Sequence, residues 1–470
     1  MQNMRKKLLL VNPSDRNAGL AHNTVMNWPP LHMMTLAAGV SGDWDVEIVD
    51  ENVRQKDLTS LEADLVGITT GFTCQAPRAY QLATHLRSKG VPVLIGGCHA
   101  SMLPDEAARY ADSVVIGEAD ELLGKVLEDF ESGNLRPRYK ADLPDITRLR
   151  TPRFDLVDRQ NYHVMTAQNS RGCPFKCEFC SVTAFSGATH RMKTENQMYA
   201  EVMASGGAGK TMVIIDDNLL PGGRRAVEQG IRTFRRLKEC RIKWACQISI
   251  NVVEKPDLLD AAVDSGGRVF YIGLESLSTE TLKEISKPFN VKHAATGYRD
   301  AIRKLHDHGI LVIGGLILGN DRDTPDSLKR MAEFVWQSEI DATEFQPLTP
   351  FPGTPLYDRL LRDGRILFTD YPNDWGRYTH DHVVFKPLHF TPDQLGEMTR
   401  DLYRQTATVW KSFRRMVKSV LNTGGNSKSF EVGLYNYAHG AFAKRAERIE
   451  AQRQDRYKGD SELPTLREAV

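Results

Sequence analysis

The sequence predicts an α/β protein in three parts: an N-terminal doubly wound parallel sheet, a partial (β/α)6 barrel and a mainly helical C-terminal region. Short, continuously apolar segments alternate with longer helical ones, which is typical of parallel strands covered by helices on both faces. Glycine-rich turns follow several apolar segments, as at the carboxyl ends of parallel strands. We expect the three parts to span residues 1–145, 146–355 and 356–470.

The N-terminal part is predicted to be a five-stranded, Rossmann-like sheet, because a helical segment separates most of its apolar segments. A ligand crevice is expected at the carboxyl ends of its strands. Residues 126–160 are polar and interrupted by prolines, which predicts a connecting segment. The predicted strands are residues 7–11, 46–49, 65–69, 91–95 and 113–116. The predicted helices are residues 29–38, 76–89 and 106–110.

Six further repeats of strand and helix predict an incomplete, TIM-like barrel, since eight repeats would close a full one. Ser278 and Thr324 mark the starts of two barrel helices, and a proline follows Thr324 in the first turn. Catalytic groups on such a barrel gather at the carboxyl ends of the strands. The predicted strands are residues 163–167, 211–216, 244–250, 269–274, 311–318 and 342–347.

The C-terminal region is predicted to contain one long helix. Thr391 and Gln394 form a capping-box pattern, and the helix is expected to run to about Lys418. Basic residues near its end lie beside Trp410 and Phe413, which favours a helix packed on one side, with binding to a membrane surface as the alternative. The tail from Lys444 is highly charged and predicts a weakly ordered segment or an exposed helix.

The charge balance argues against a general nucleic-acid-binding protein, because 61 lysines and arginines nearly equal 60 aspartates and glutamates. The apolar run at residues 8–11 is too short for a signal peptide, and no stretch approaches the ~20 apolar residues of a membrane span. The sequence therefore predicts a soluble, cytoplasmic protein without a transmembrane segment.

Three of the seven cysteines, Cys173, Cys177 and Cys180, lie within eight residues and form a C-x3-C-x2-C motif. Three thiolates on one loop hold three irons of a cubane cluster and leave the fourth iron open as a binding position. A zinc site with a distant fourth ligand is the alternative. Zinc sites usually combine two C-x-x-C pairs, however, and the cysteines at positions 74, 98, 240 and 246 form no pair.

With this motif directly after the first strand, residues 163–347 resemble the radical S-adenosylmethionine (SAM) superfamily. The doubly wound domain ahead of them resembles the cobalamin-binding domain of the cobalamin-dependent subgroup, such as the methylases that act on hopanoids and bacteriochlorophylls. The resemblance implies a [4Fe–4S] cluster on the three cysteines, SAM on the open iron, and cobalamin. It also implies a C-methyltransferase, which moves a methyl group from methylcobalamin to an unactivated carbon after a 5′-deoxyadenosyl radical has removed a hydrogen atom.

Two other functions remain open at this point. Related enzymes use these cofactors for cyclisation, rearrangement or oxidation without methyl transfer. A non-catalytic corrinoid- or cluster-binding protein is the third hypothesis, and the intact cysteine motif argues against it. The resemblance further implies a small-molecule substrate, such as a lipid or a tetrapyrrole, and a reductant such as flavodoxin or ferredoxin.

The SAM contacts that the resemblance implies are residues within the motif and at the ends of barrel strands. Asp216, Asp217 and Asn218 follow the second strand, where short acceptors suit the amino group of SAM. Glu275 ends the fourth strand and suits the ribose hydroxyls. Helix capping or a turn is the alternative role for these residues. The remaining candidates are Phe179, Gln247, Ser249 and Ser276.

The cobalamin site that the resemblance implies is the crevice of the N-terminal sheet, where small residues let the backbone approach a flat ring. The sequence contains no D-x-H-x-x-G motif, so no histidine is placed as a lower cobalt ligand, and a domain that has lost cobalamin is the alternative. His99 is interpreted as a loop residue near the ligand. The candidate contacts are Asn12, Thr69, Thr70, Gly71, Gly96, Gly97, His99, Gly117 and Glu118.

Overall fold

The structure, a computed structural model, describes residues 5–14, 28–53, 62–426, 428, 429 and 433. The N-terminal sheet contains strands β1 Lys6–Asn12, β2 Trp44–Asp50, β3 Leu65–Thr69, β4 Val93–Gly96, β5 Ser113–Ile116 and β6 Arg138–Lys140. All six are parallel, in the order β2-β1-β3-β4-β5-β6. The helices are α1 Leu31–Gly39, α2 Ala76–Ser88, α3 Cys98–Met102, α4 Pro104–Ala107 and α5 Leu123–Glu131.

Both faces of this sheet are buried, which explains why its strands are apolar at consecutive positions. Leu8 and Leu10 of β1 pack on one face, whereas Leu9 and Val11 pack on the other. The chain order reverses between β1 and β3, and in doubly wound sheets the ligand crevice lies at the carboxyl ends of the strands at such a switch point. The predicted fold class is confirmed for this part.

All five predicted strands are present, but the predicted number of strands was wrong. The sixth strand, β6, pairs with β5 inside the segment that was interpreted as a connection. Only Tyr139 of its three residues is buried, and an edge strand readily carries charged neighbours such as Arg138 and Lys140, so the apolar signal was absent. Helix α5 also overlaps that segment.

The second sheet is the predicted six-stranded partial barrel. It contains β7 Met165–Ala167, β10 Thr211–Ile214, β11 Lys243–Gln247, β12 Gly267–Glu275, β13 Leu311–Leu318 and β14 Ala342–Pro347. All are parallel, in sequential order from β7 to β14. A separate two-stranded ribbon is formed by β8 Ser170–Arg171 and β9 Arg191–Met192. The helices are α6 Ser181–Ser186, α7 Glu195–Ala204, α8 Arg224–Leu237, α9 Pro256–Asp264, α10 Thr279–Glu284, α11 Pro288–Thr296, α12 Tyr298–Asp307 and α13 Pro325–Gln337.

The C-terminal helices are α14 Pro355–Arg362, α15 Pro392–Thr406 and α16 Val409–Asn422. The predicted helix starts at Ser278, Thr324 and Thr391 are confirmed, since each side chain accepts a backbone hydrogen bond from the first turn. The single helix predicted to run to Lys418 was wrong. The hydroxyl of Thr408 accepts a hydrogen bond from the backbone N–H of Lys411 and so starts a second helix.

The residues after α16 contact the amino ends of the barrel strands. The Asn426 side chain donates hydrogen bonds to the carbonyls of Arg268 (3.0 Å) and Gly309 (2.8 Å). Lys428 reaches Thr211 at the start of β10. The charged tail from Lys444 lies outside the described residues, and among the described residues no helix has the length and apolarity needed to cross a membrane.

Candidate cluster and cofactor site

The cysteine loop, residues 172–180, lies between β8 and α6, next to the carboxyl end of β7. Two carboxylates fix its start. Asp216 accepts hydrogen bonds from the Asn169 N–H (2.7 Å) and the Ser170 hydroxyl (2.5 Å). Asp217 accepts one from the Gly172 N–H (2.8 Å). These hydrogen bonds attach the start of the loop to the residues that follow β10.

Gly172 is required by the shape of the loop. Its φ is +80°, a conformation that favours glycine, and a Cβ atom at this position would lie 2.4 Å from the carbonyl oxygen of Thr189. A larger residue would therefore push the start of the loop away from β9 and its connection.

The three thiols are partly withdrawn from solvent. Cys177 is buried, whereas Cys173 and Cys180 are half-buried. Burial raises the pKa of the Cys180 thiol to about 12 and raises that of Cys177 as well. No group of three His, Cys, Asp or Glu side chains is arranged for a single metal ion within the described part of the chain. A cubane cluster is bound differently, because each thiolate ligates its own iron.

Asn218 links the thiols to the barrel. Its side-chain amide donates a hydrogen bond to the Ser249 hydroxyl (2.6 Å) and lies 3.7 Å from the sulfur of Cys173. Its carbonyl oxygen accepts a hydrogen bond from the Ser249 N–H (3.2 Å). Two predicted cofactor residues, on neighbouring strand ends, therefore meet beside the cysteine loop.

Glu275 forms a partly buried ion pair with Lys287, 2.5 Å away. Although burial alone lowers the pKa of Lys287, the charges of Glu275 and Cys177 raise it above its ordinary value. The Lys287 ammonium also lies 5.9 Å from the ring centre of Phe179. Glu275 itself has a φ of +64°, and a Cβ on Gly273 would lie 2.3 Å from its carboxylate, so the glycine leaves room for the carboxylate.

The other predicted SAM residues have differing surroundings. Gln247 is exposed at the end of β11. Ser276 is buried, and its hydroxyl accepts a hydrogen bond from the N–H of Ser278. Burial raises the pKa of Asp216 to about 7, although its two hydrogen bonds act in the opposite direction. Asp216 and Asp217 thus hold backbone at the start of the cysteine loop, and their contact with SAM stays a prediction.

The predicted cobalamin loops of the N-terminal sheet are bonded to one another. The Thr70 hydroxyl donates a hydrogen bond to the Gly96 carbonyl (2.9 Å) and accepts one from the Ala100 N–H (3.1 Å). Gly97 has a φ of +101°, and a Cβ there would lie 2.8 Å from the Thr70 backbone. These loops accordingly need small residues to pack together, whether or not a ring lies over them.

Solvent reaches the crevice at Gly71 and Phe72, which are both exposed beyond the end of β3. At the neighbouring strand end, Asn12 donates a hydrogen bond to Asp50 (2.9 Å) and accepts one from Gln75 (3.2 Å). Thr69, which precedes these loops, is buried. The crevice thus has a polar side at Asn12 and an apolar side at Phe72.

His99 is oriented toward the C-terminal region. Its side chain is fully buried, with Nε2 3.3 Å from a carboxylate oxygen of Glu106 and its ring edge against Trp375. The Trp375 indole donates a hydrogen bond to the same carboxylate (3.0 Å), and so does the hydroxyl of Tyr80 (3.0 Å). His99 therefore helps to attach residues 373–377 to the N-terminal sheet.

Glu118 is buried and forms ion pairs with Arg171 and Arg191, and its predicted contact with cobalamin stays a prediction. Gly117, beside it, has a φ of +90°, and its N–H donates a hydrogen bond to the Ser101 hydroxyl. The two arginines belong to the barrel part and Glu118 to the N-terminal part, so these side chains join the two parts of the protein.

The inner face of the barrel carries a polar group that the sequence patterns did not single out. The Tyr271 hydroxyl donates a hydrogen bond to Glu344 (2.9 Å), and the Gln346 amide donates one to the same oxygen (3.1 Å). A Cβ on Gly315 would lie 2.5 Å from the Tyr271 hydroxyl, so this glycine makes room for the tyrosine. Tyr271 lies on β12 and both Glu344 and Gln346 lie on β14, with Gly315 of β13 between them.

Comparison with known families agrees with this architecture. The model of the radical SAM superfamily matches residues 170–335, and the model of the B12 binding domain matches residues 18–127. The chain thus contains a radical SAM domain and a B12-binding domain. The first match contains the cysteine loop, and the second contains the loops at the carboxyl ends of β2 to β5.

Several relatives align with most of the chain. The bacteriochlorophyllide d C-12(1)-methyltransferase of Chlorobaculum tepidum is 28% identical over 90% of this chain and 91% of that protein. The hopanoid C-2 methylase of Rhodopseudomonas palustris is 28% identical over 73% of this chain and 66% of that protein. The solved structure of the radical SAM methyltransferase TsrM from Kitasatospora setae has a TM-score of 0.67 and 16% identity, covering 96% of this chain and 99% of that one, which is a likeness of fold.

The radical SAM domain implies a [4Fe–4S] cluster and SAM, and the B12-binding domain implies cobalamin. The residues present fit these groups. Three thiols on one loop suit a cluster with an open iron, and the Asn218 amide and Lys287 ammonium are donors close to them. The Asn169 side-chain oxygen is buried without a hydrogen-bond partner, which suits a cationic group such as the amino group of SAM.

Sequence reasoning missed Arg171, Arg191 and Lys287 as residues of this site. Arg171 directly precedes the Gly-Cys of the motif, and that adjacency was a usable signal. Lys287 is twelve residues beyond Glu275 and is brought back by α10, so its proximity depends on the folded chain. The link of Arg171 and Arg191 to Glu118 depends likewise on how the two parts pack.

Proposed function

We propose that this protein is a cobalamin-dependent radical SAM C-methyltransferase. The observation that carries the proposal is the direct contact between two modules: the cysteine loop of the barrel adjoins the strand-end loops of the B12-binding domain through Arg171 and Glu118. Two cofactors that act on one substrate carbon have to be held close together in this manner. The alignment of methyltransferases with up to 90% of the chain supports the same reaction class.

Within this proposal, Cys173, Cys177 and Cys180 hold the cluster. The Asn218 amide lies 3.7 Å from the Cys173 sulfur, and the charge of Lys287 acts on Cys180. Phe179, Gln247, Ser249, Glu275 and Ser276 belong to the SAM side of the site. The loops at Thr70, Gly97 and Gly117 support the corrinoid. When bound, the cluster and SAM supply a hydrogen-abstracting radical and cobalamin supplies a methyl group.

The tasks of the chain itself are to orient these groups and to exclude water. Tyr271, Glu344 and Gln346 form a connected polar group on the inner face of the barrel, where it orients a substrate that presents a hydroxyl or carbonyl group. The apolar Phe72 at the crevice suits a large, flat or polycyclic substrate.

The proposed substrate is a tetrapyrrole or a polycyclic lipid, because the relatives named above act on a bacteriochlorophyllide and on hopanoids. A low-potential protein such as flavodoxin or ferredoxin is proposed as the electron donor. Such a donor and an oxygen-sensitive cluster both suit the reducing cytoplasm.

The test is product stoichiometry after anaerobic cluster reconstitution, with SAM carrying a deuterated methyl group, a chemical reductant, hydroxocobalamin and either bacteriochlorophyllide d or a hopanoid. Methyl transfer gives S-adenosylhomocysteine and 5′-deoxyadenosine in equal amounts, together with a product heavier by the labelled methyl group. Formation of 5′-deoxyadenosine alone supports cyclisation, rearrangement or oxidation instead. The absence of both nucleosides supports a binding protein.

A further inference from the structure

The guanidinium of Arg171 joins the N-terminal part and the barrel part of the protein through charge-assisted hydrogen bonds. One nitrogen of its guanidinium lies 2.9 Å from Glu118 and 2.6 Å from Asp120, and a second lies 3.1 Å from the other oxygen of Asp120. Arg191 completes the network with contacts to Glu118 at 2.5 and 3.1 Å. Glu118 and Asp120 follow β5 of the B12-binding domain, whereas both arginines lie on the ribbon that flanks the cysteine loop.

All four side chains are largely withdrawn from solvent, with exposures of 11% for Arg171, 4% for Glu118, 6% for Asp120 and 16% for Arg191. Two positive charges balance two negative ones. Removing one partner from a buried pair leaves an uncompensated charge and is strongly destabilising, whereas the intact network adds little net stability over apolar residues of the same size. Such a network therefore contributes more to holding its side chains in one arrangement than to the free energy of unfolding.

The network ends beside both cofactor regions. On the barrel side, Arg171 is followed by Gly172 and Cys173, and the Gly172 N–H is bonded to Asp217. On the other side, the Gly117 N–H donates to the Ser101 hydroxyl (2.9 Å), which in turn donates to the Gly97 carbonyl (2.7 Å). Hydrogen bonds and covalent bonds thus connect Cys173 with the loop at Gly97 without interruption.

We propose that Arg171, together with Glu118 and Asp120, is a positioning residue that couples the two cofactor sites. Binding of a corrinoid orders the loops at Gly97 and Gly117, and the ion pairs transmit that order to the start of the cysteine loop. By linkage, formation of the cluster strengthens corrinoid binding by the same factor. The inference rests on the cofactor set of the proposed function and not on methyl transfer.

The experiment measures the Kd of hydroxocobalamin by absorbance titration, in full-length protein with the cluster reconstituted and in the same protein without it. In the natural protein we expect the cluster to lower Kd by about five- to tenfold. In Arg171→Met the ratio of the two Kd values falls to about one. A role in stability alone changes both Kd values together and leaves the ratio unchanged.

Asp120→Asn is the second variant, since it keeps the size of the side chain and one partner of Arg171; its ratio falls between that of Arg171→Met and that of the natural protein. If Arg171→Met does not fold, this variant decides. Arg224→Met is the matched control, because its ion pair with Glu228 is exposed on α8, and it keeps the natural ratio. A natural ratio of one, or an unchanged ratio in both network variants, overturns the inference, whereas failure of the natural protein to bind hydroxocobalamin overturns the cofactor set itself.

Discussion

The ammonium of Lys287 lies 2.5 Å from the carboxylate of Glu275. Burial raises the pKa of the Cys177 and Cys180 thiols, and the positive charge of Lys287 acts to lower both. A cation next to thiol ligands affects an iron–sulfur cluster because reduction adds negative charge, which the cation stabilises. Glu275 opposes that effect from the other side of the ion pair. Substitutions of Lys287 and of Glu275 are therefore expected to change the reduction potential of the cluster in opposite directions.

Lys287→Met is expected to lower the reduction potential of the cluster by tens of millivolts, because it removes a partly buried positive charge near two ligands. Glu275→Gln is expected to raise the potential, since it removes the opposing charge. Redox titration followed by electron paramagnetic resonance measures both. Shifts of the same sign in the two variants contradict this electrostatic explanation.

Replacing Cys173, Cys177 or Cys180 singly with alanine is expected to abolish the cluster, because each thiolate ligates one iron. Iron and sulfide content after anaerobic reconstitution and the visible absorbance of the cluster measure this loss. Cys240→Ala is the matched control: Cys240 is buried in the barrel core, so its variant keeps the full iron content. Full iron content in Cys177→Ala would disprove the ligand assignment.

Trp375→Ala is expected to destabilise the protein by about 3–5 kcal/mol, because its 1% exposed side chain packs between the N-terminal sheet and the C-terminal region. It also removes the hydrogen bond to Glu106. Trp410→Ala is the control, since Trp410 is 72% exposed and its replacement changes the free energy of unfolding by less than about 0.5 kcal/mol. Urea denaturation followed by circular dichroism compares them; equal effects contradict the packing role of Trp375.

Asp216 predicts a pH dependence of stability. Burial raises its pKa from 3.8 to about 7, so the folded state holds this proton more tightly than the unfolded state does. The contribution of Asp216 to the free energy of unfolding is greatest below pH 4. It decreases by up to about 4 kcal/mol as the pH rises to about 7. Asp216→Asn removes this dependence, and its melting temperature relative to the natural protein should improve from pH 5 to pH 8. An equal difference at both pH values contradicts the prediction.

Much of the fold was predictable because several buried strands are apolar over consecutive positions. The bounds of β3, β5 and β13 agree with the predicted ones for this reason, whereas those of β14 agree although it contains Thr343, Glu344 and Gln346. The edge strand β6 has a single buried residue and lacks that signal. The break between α15 and α16 depends on the local hydrogen bond of Thr408, which the apolar pattern does not record.

The residues of the site were predictable only where they form a recognisable motif along the chain. The cysteines at 173, 177 and 180 are close in sequence, so the motif was visible, and their role as cluster ligands stays a prediction. The ion pairs of Glu118 carried no such signal, because its partners Arg171 and Arg191 lie more than fifty residues away in the sequence. A single sequence gives no distance between residues of different domains, so contacts of this kind emerge only from the folded chain.

The hydrogen bonds of Asn426 set a limit on shortening the protein. Its side-chain amide donates hydrogen bonds to the main-chain carbonyls of Arg268 and Gly309, at the amino ends of β12 and β13. Deletion of all residues after α16 would remove this hydrogen-bond donor and expose the amino-terminal end of the barrel to water. Truncated versions for crystallisation should therefore retain the polypeptide through at least this asparagine.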